Sequence, residues 1–406
     1  MHYRYLRFFA LPLASALALA AAPKEKSSSL TYTKDVAPIL NNRCVECHRP
    51  GEIAPMSLLS YKQVRPWAAA IKEKVLGRTM PPWLADPHYG QFKNDRRMTQ
   101  AEIDTIARWA DSGAPEGRPQ DLPKLPDFVE GWSIGKPDVV VSLLEEVDVP
   151  AEGVVPYKYY KVPSNFTEDK WVEAAEIRAG NRSLVHHVIV FIQEPVTAAK
   201  PAADSGVRDN LLVGFAPGEQ PKVYPPGTAK LVKAGSTFMF QMHYTPNGKA
   251  GKDKTYVGLR FAKAPVTHRA LTGRALTMNF AIPPGDPNYE VKSSWTAKED
   301  ARIRGFMPHM HLRGKDFTYT AVYPDGRSEV VLSVPKYDFN WQLIYELKEP
   351  LFLPKGSRLD CVAHFDNSPN NKFNPDPSKT VKWGDQTWEE MMIGWFDLTL
   401  DSQNRI

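Results

Sequence analysis

The 406-residue sequence predicts a multidomain chain in which a small all-α domain is followed by two all-β, jelly-roll-like sandwich domains. Three observations predict it. The length exceeds what one ordinary hydrophobic core serves. Helical periodicity is confined to the first quarter, at 32–42, 60–77 and 99–112. Beyond it, apolar and polar residues alternate in short runs at 138–143, 183–192, 238–244, 256–261, 317–323 and 391–400. These runs are separated by Pro, Gly, Asn and Asp, the pattern of antiparallel β structure. The 36 prolines and 25 glycines favour short strands and loops over long helices.

Residues 1–22 read as a signal peptide, with Arg4 and Arg7 in a charged head, an apolar stretch from Phe8 to Ala20, and small residues at the cleavage point. The apolar stretch is short for a bilayer span, and no other segment offers one. The expectation is a periplasmic or secreted protein with no membrane span after cleavage. The formal net charge is +5, with no basic run or stripe, which argues against a nucleic-acid partner.

Two of the three cysteines lie in Cys44-Val45-Glu46-Cys47-His48. Paired cysteines in an exported protein ordinarily form a disulfide. The histidine directly after them changes the reading to covalent haem c attachment. Each thiol adds to a haem vinyl group, and His48 takes one axial position of the iron. Met80, in Arg78-Thr79-Met80-Pro81-Pro82-Trp83, is the candidate for the other axial position, with Met56, Met98 and His88 as rivals. Residues 30–116 resemble a small class I-like cytochrome c module, and Trp109 is placed to pack on the haem. A proline-rich linker follows at 117–137, then β domains at 138–264 and 265–406.

Five of the ten histidines fall in three apolar, strand-like settings: His186 and His187, His243, and His309 with His311. A single histidine in a strand is usually structural, whereas five in such runs point to metal. Residues i and i+2 share one face of a strand, so His309 and His311 can grip one ion. His186 and His187 face opposite sides unless the strand is bulged or they use different ring nitrogens. Spacing alone leaves zinc and copper both open.

Residues 138–406 resemble the copper type II, ascorbate-dependent monooxygenases, which include the peptidylglycine and dopamine β-hydroxylating enzymes. The resemblance rests on ordered motifs: the adjacent His186-His187 pair, Gln241-Met242-His243-Tyr244, His309-Met310-His311, and Glu389-Glu390-Met391-Met392. It implies an electron-transfer copper on His186, His187 and His243. It also implies an oxygen-binding copper on His309, His311 and Met391, the two facing each other across a solvent-filled cleft. Taken alone, Met391 would read as a core methionine. A thioether with two imidazoles favours Cu(I) and leaves a position for O2.

Three departures from the family bear on function. The family's second cysteine is replaced by Met392, which leaves Cys361 an odd thiol, expected to be buried. Where the amidating enzymes hold a substrate carboxylate, this chain has Met307, Ile393 and Trp395, so an apolar or aromatic substrate is expected. The animal enzymes lack a haem module; here it would deliver electrons, with or without a periplasmic donor. The resulting expectation is a periplasmic copper monooxygenase that hydroxylates a C–H bond of a small substrate with O2. The rival is a non-catalytic haem and copper protein for electron transfer or copper handling.

Overall fold

The computed structural model describes Met1 and residues 30–52, 54–129, 131–195, 210–216 and 220–401. The expected signal peptide therefore lies outside the described residues. Among those described, no helix is long and apolar enough to cross a membrane.

The expected fold class is overturned. The chain is mostly β, 38% strand against 12% helix, and its helices do not make an all-α cytochrome c domain. The first quarter holds only short pieces, chiefly Ala37–Arg43, Ala68–Leu76 and Gln100–Asp111, joined by long irregular stretches. Proline explains much of this. Pro50, Pro55, Pro81, Pro82 and Pro87 each lack a donor and disfavour helical geometry in the preceding residue, whereas Pro66 is accommodated near the start of a helical run, with Arg65 still helical. Only the last helix has a complete start signal: Thr99 accepts from the Glu102 amide at 3.2 Å, and the Glu102 carboxylate accepts from the Thr99 amide at 2.7 Å. That helix buries Ile103, Ile106 and Trp109 against Tyr32, Val36, Leu40, Val45, Ile71 and Met98.

The first quarter also gives up residues to a distant core. Trp83, Ala85 and Phe92 pack among residues from the C-terminal sheets. The Trp83 and Phe92 rings meet Tyr345 at 5.0 and 5.6 Å, and Phe92 makes an antiparallel bridge with Leu347. The Lys93 amide donates to the Glu346 carbonyl at 2.9 Å, and the Lys348 amide to Gln91 at 2.8 Å. The run after Met80 thus serves as a strap over the last part of the chain.

In place of two expected sandwiches, the strands gather into four principal sheets, one of six strands and three of four, in a four-bladed, propeller-like arrangement. Within a sheet, neighbours are not consecutive: the sheet that carries His187 runs Lys158–Pro163, Thr237–Tyr244, Val185–Gln193, Leu211–Phe215. The sheets share apolar cores in pairs. One core gathers Val172, Val188, Phe238, Phe240 and Leu259; the other gathers Ile303, Phe306, Phe317, Tyr319 and Cys361. As expected, Cys361 is fully buried, its sulfur packed over the backbone of Gly394, where an added Cβ would come within 2.6 Å.

A polar seam joins the two β regions. Lys230, fully buried, donates to the Leu211 carbonyl and, at 2.8 Å, to Thr272 Oγ1. Thr272 donates to Asp397 at 3.2 Å, and Lys222 pairs with the same carboxylate. Burial lowers the Lys230 ammonium to about 8, although Asp397 works in the opposite direction.

Candidate metal centres and thiol–histidine loop

The strand Val185–Gln193 is rich in β-branched and aromatic residues and lies inside its sheet, paired on one side with Thr237–Tyr244. Its register against that neighbour slips between Val185 and His187: Val185 faces Tyr244, and His187 faces His243 directly. His186 is the extra residue of a β-bulge, the device that lets adjacent side chains turn toward a common point. His186 Nδ1 approaches His187 Nδ1 at 3.2 Å, and His243 Nδ1 approaches it at 3.3 Å. One ligand atom from each of the three lies within 4.8 Å of the others, the spacing of a metal-binding triad. Burial lowers all three imidazoles. It takes His243 to about 3, helped by His186, and His187 well below its ordinary value, helped by His243. The lone pairs that a metal needs are therefore free at neutral pH.

His309 ends the strand Ala301–His309, and His311 lies just past it. Met310 between them points the other way into the apolar core, its backbone amide and carbonyl both bonded to the Tyr337 hydroxyl at 3.2 and 2.8 Å. The two imidazoles thus share a side, their rings perpendicular and 5.2 Å apart. His309 Nδ1 meets Gln342 Oε1 at 2.7 Å, and His311 Nδ1 meets the Glu389 carbonyl at 3.1 Å. Those partners leave Nε2 of each ring as the ligand atom, the usual arrangement behind metal-binding histidines. His311 Nε2 is buried with no partner among the described residues. Burial lowers His309 to about 4 and His311 well below its ordinary value.

Met391 reaches this neighbourhood through Glu390. That fully buried carboxylate accepts from the His311 and Arg313 amides at 2.8 and 2.7 Å, tying the residue before Met391 to the His-x-His segment. Burial raises Glu390 to about 8. Two residues past Met391, Ile393 pairs across the ladder with His309. Met391 packs with Ile393, Trp395, Met307, Leu276 and Trp383, so the three expected apolar positions form one cluster with it.

Two aromatic residues that the motifs did not single out stand between the histidine groups. The Tyr157 ring lies 4.8 Å from His243, 5.4 Å from His187 and 6.2 Å from His311. Phe339 stacks on His186 at 5.8 Å and meets His311 at 6.0 Å. The Tyr157 hydroxyl is buried with no partner among the described residues, and burial raises it well above its ordinary value. The solvent-filled cleft that the resemblance implies is thus occupied, between these rings, by aromatic side chains. Gln241 and Tyr244 of the Gln-x-His-Tyr motif have bracing roles: Gln241 donates to Tyr159 at 2.8 Å, and Tyr244 to Asp253 at 3.0 Å. Nothing sets Tyr157 apart in sequence from Tyr159 or Tyr160; only its contacts in the folded chain distinguish it.

Cys44, Cys47 and His48 form a turn after the first helices, the Cys47 and His48 amides both donating to the Cys44 carbonyl. Both cysteines are free thiols, and burial pushes Cys44 up to about 12. His48 Nδ1 meets the Met56 carbonyl at 3.3 Å, which leaves Nε2 for a metal. This fits the donor set that haem c requires. Of the axial candidates, Met98 is buried in the cluster that includes Val45, and Met56 packs against the same cluster. Met80 is half-buried and belongs to no apolar cluster among those described, and His88 is exposed and bound to Asp86 at 2.6 Å.

No family model matches the chain, and no curated protein matches it. Among solved structures, the infectious bursal disease virus Gx strain is similar at 7% identity and a TM-score of 0.20, over 65% of this chain and 73% of that one. The structure of PNGF-II in P21 is similar at 10% identity and a TM-score of 0.27, over 64% of this chain and 65% of that one. TM-scores this low do not amount to a common fold.

Proposed function

We propose that the chain is an exported, copper-dependent monooxygenase that carries a covalent haem c and hydroxylates a C–H bond of a small apolar or aromatic substrate with O2. The observation that carries this reading is the bulge at His186, which turns two adjacent histidines toward His243 and completes a three-imidazole donor set. Copper, when bound, supplies one-electron redox chemistry and the capacity to reduce O2. The protein supplies everything else. His186, His187 and His243 would hold one ion, and His309, His311 and Met391 the other. Gln342 and the Glu389 carbonyl keep His309 and His311 in the tautomer that presents Nε2. Glu390 holds the Met391 segment to the His-x-His segment through two backbone hydrogen bonds. Met307, Ile393 and Trp395 offer an apolar surface beside Met391, and the Arg274 guanidinium lies over the Trp395 ring at 5.9 Å. Cys44 and Cys47 would carry the haem, and His48 would ligate its iron. The sequence favours Met80 as the opposite ligand, while packing favours Met98.

Elemental analysis of protein matured in an exporting host tests the reading. Copper at both histidine groups, together with iron in a haem that survives denaturation, supports it; stoichiometric zinc or loss of haem on denaturation overturns it. A second reading, a non-catalytic haem and copper carrier, is favoured by Tyr157 and Phe339 filling the space between the groups. Incubation of the reduced protein with isotopically labelled O2 and apolar candidate substrates separates the two, since only the monooxygenase transfers label to product.

A further inference from the structure

The loop that carries the cysteines reaches the β region through Glu52 and Glu46. Glu52, just past His48, pairs with Arg182, and Arg49 reaches the other oxygen of the same carboxylate at 3.0 Å. The Glu52 and Arg182 side chains are only 16% and 25% exposed. Glu46, inside the motif, accepts from Gln220. Arg182 also lies over the Phe215 ring at 5.8 Å, and its charge acts on the Cys47 thiol. The importance of Arg182 comes from its position. It sits in the turn whose Asn181 carbonyl accepts from the Leu184 and Val185 amides, four residues before His186 and directly ahead of the bulge. Asn181 is itself pinned by the Asp253 carboxylate at 2.9 Å. A rigid turn therefore carries the clamp on one side and the histidine triad on the other.

We propose that Arg182 is a positioning residue that couples the two: through Glu52 it fixes the Cys44–Glu52 loop on the triad strand, so that filling the triad orders the loop. This rests on the reading of the triad as a metal site. The physical basis is geometric. A metal that draws His186, His187 and His243 together rigidifies the bulge and the turn before it. A rigid Arg182 then holds a mostly buried carboxylate with less entropy left to lose. Such coupling is reciprocal, so a fixed loop favours metal at the triad by the same factor.

The test uses the full chain without haem or copper, and hydrogen exchange of the amides in residues 44–52. In the first arm, Arg182→Ala and Glu52→Gln each speed exchange in this loop at least tenfold, and the double variant exchanges no faster than either single one. Arg182→Lys restores part of the protection, because it keeps the charge. In the second arm, Zn2+ is the probe, chosen because it is redox-silent. Zinc slows loop exchange in the wild-type chain and in Arg182→Lys, but leaves it unchanged in Arg182→Ala, although all three bind zinc. A purely structural Arg182 would not make the zinc response depend on the side chain. Loop exchange unaltered by Arg182→Ala, or slowed equally by zinc in its absence, overturns the proposal. If the triad takes no zinc in any variant, the metal reading falls, and the first arm alone decides whether the clamp exists.

Discussion

The two histidine groups are built in opposite ways. In the triad, three imidazoles from two neighbouring strands converge on one another, and the bulge alone brings them together. In the other group, two imidazoles share a side and each is braced from behind, by Gln342 and by the Glu389 carbonyl, while Met391, the proposed third donor, lies on a separate segment. The first is complete in itself. The second depends on an assembly of partners, with Glu390 at its centre. A centre that only exchanges electrons gains from a closed donor set, whereas one that must admit a ligand needs a donor that can be held apart.

The largest expected effect breaks the comparison outright. His243→Ala should remove one of two copper-binding events in a calorimetric titration and leave the other intact. His311→Ala should do the reverse. Loss of both events in either variant would mean that the groups form one site, not two.

Glu390→Ala should come next. It leaves two buried amides, those of His311 and Arg313, without an acceptor, at about 1–3 kcal/mol each. Urea unfolding should show a loss of roughly 2–6 kcal/mol, together with weakened copper binding at His309 and His311 and an unchanged triad. The triad has no equivalent single residue, which sharpens the contrast between the two groups.

The seam around Lys230 links the two β regions, and its contribution to stability depends on pH. Its folded pKa of about 8 lies below its ordinary value of 10.5. Between those values the unfolded chain binds the proton more tightly, so stability rises with pH across that window. At neutral pH the depressed pKa costs about 3 kcal/mol by the usual conversion. Lys230→Met should therefore gain on the wild type most at pH 7 and lose that advantage progressively from pH 8 to 10. Urea midpoints measured across that range check it; a constant difference would show that burial does not depress the Lys230 pKa and that the ammonium keeps its proton in the seam.

How much of this could be read from residues alone differs sharply by region. The convergence of the histidines was legible, because His186, His187 and His243 lie in apolar strand-like runs and the i, i+2 rule applies to His309 and His311 without knowledge of the sheet. The demand for a bulge at His186 was also legible; the slip between Val185 and His187 meets it. The sheet arrangement was not, since alternation with period 2 is common to sandwiches, jelly rolls and propellers. The all-α domain failed for a different reason. Local periodicity at 60–77 and 99–112 was real, but it could not reveal that Trp83 and Phe92 leave for a core more than two hundred residues away in sequence. Met80 stands at the root of that strap, whereas Met98 stays in the helical cluster. Tyr157 was invisible because its role comes only from the rings around it.

Gln342→Ala probes the brace behind a single histidine. Partners of this kind are worth about 10–100-fold in metal affinity. The variant should bind copper at His309 and His311 that much more weakly while the triad is untouched, as competition with a chelator would show.

The smallest effect belongs to Tyr157→Phe, and its sign is informative. In the metal-free chain the Tyr157 hydroxyl is buried with no partner among the described residues, as are His187 Nε2 and His311 Nε2. An unsatisfied buried hydroxyl costs about 1–3 kcal/mol, so its removal should leave the metal-free chain equally stable or about 1 kcal/mol more stable. The ring itself, packed on His243 and His187, is kept. If copper rearranges the histidines so that the hydroxyl gains a partner, the stabilisation by copper should be smaller in the variant than in the wild type. Melting each protein with and without copper reads both quantities. A metal-free variant that melts several degrees lower would mean that the hydroxyl is already bonded, and that Tyr157 belongs to the fixed frame of the two groups and not to their metal-dependent response.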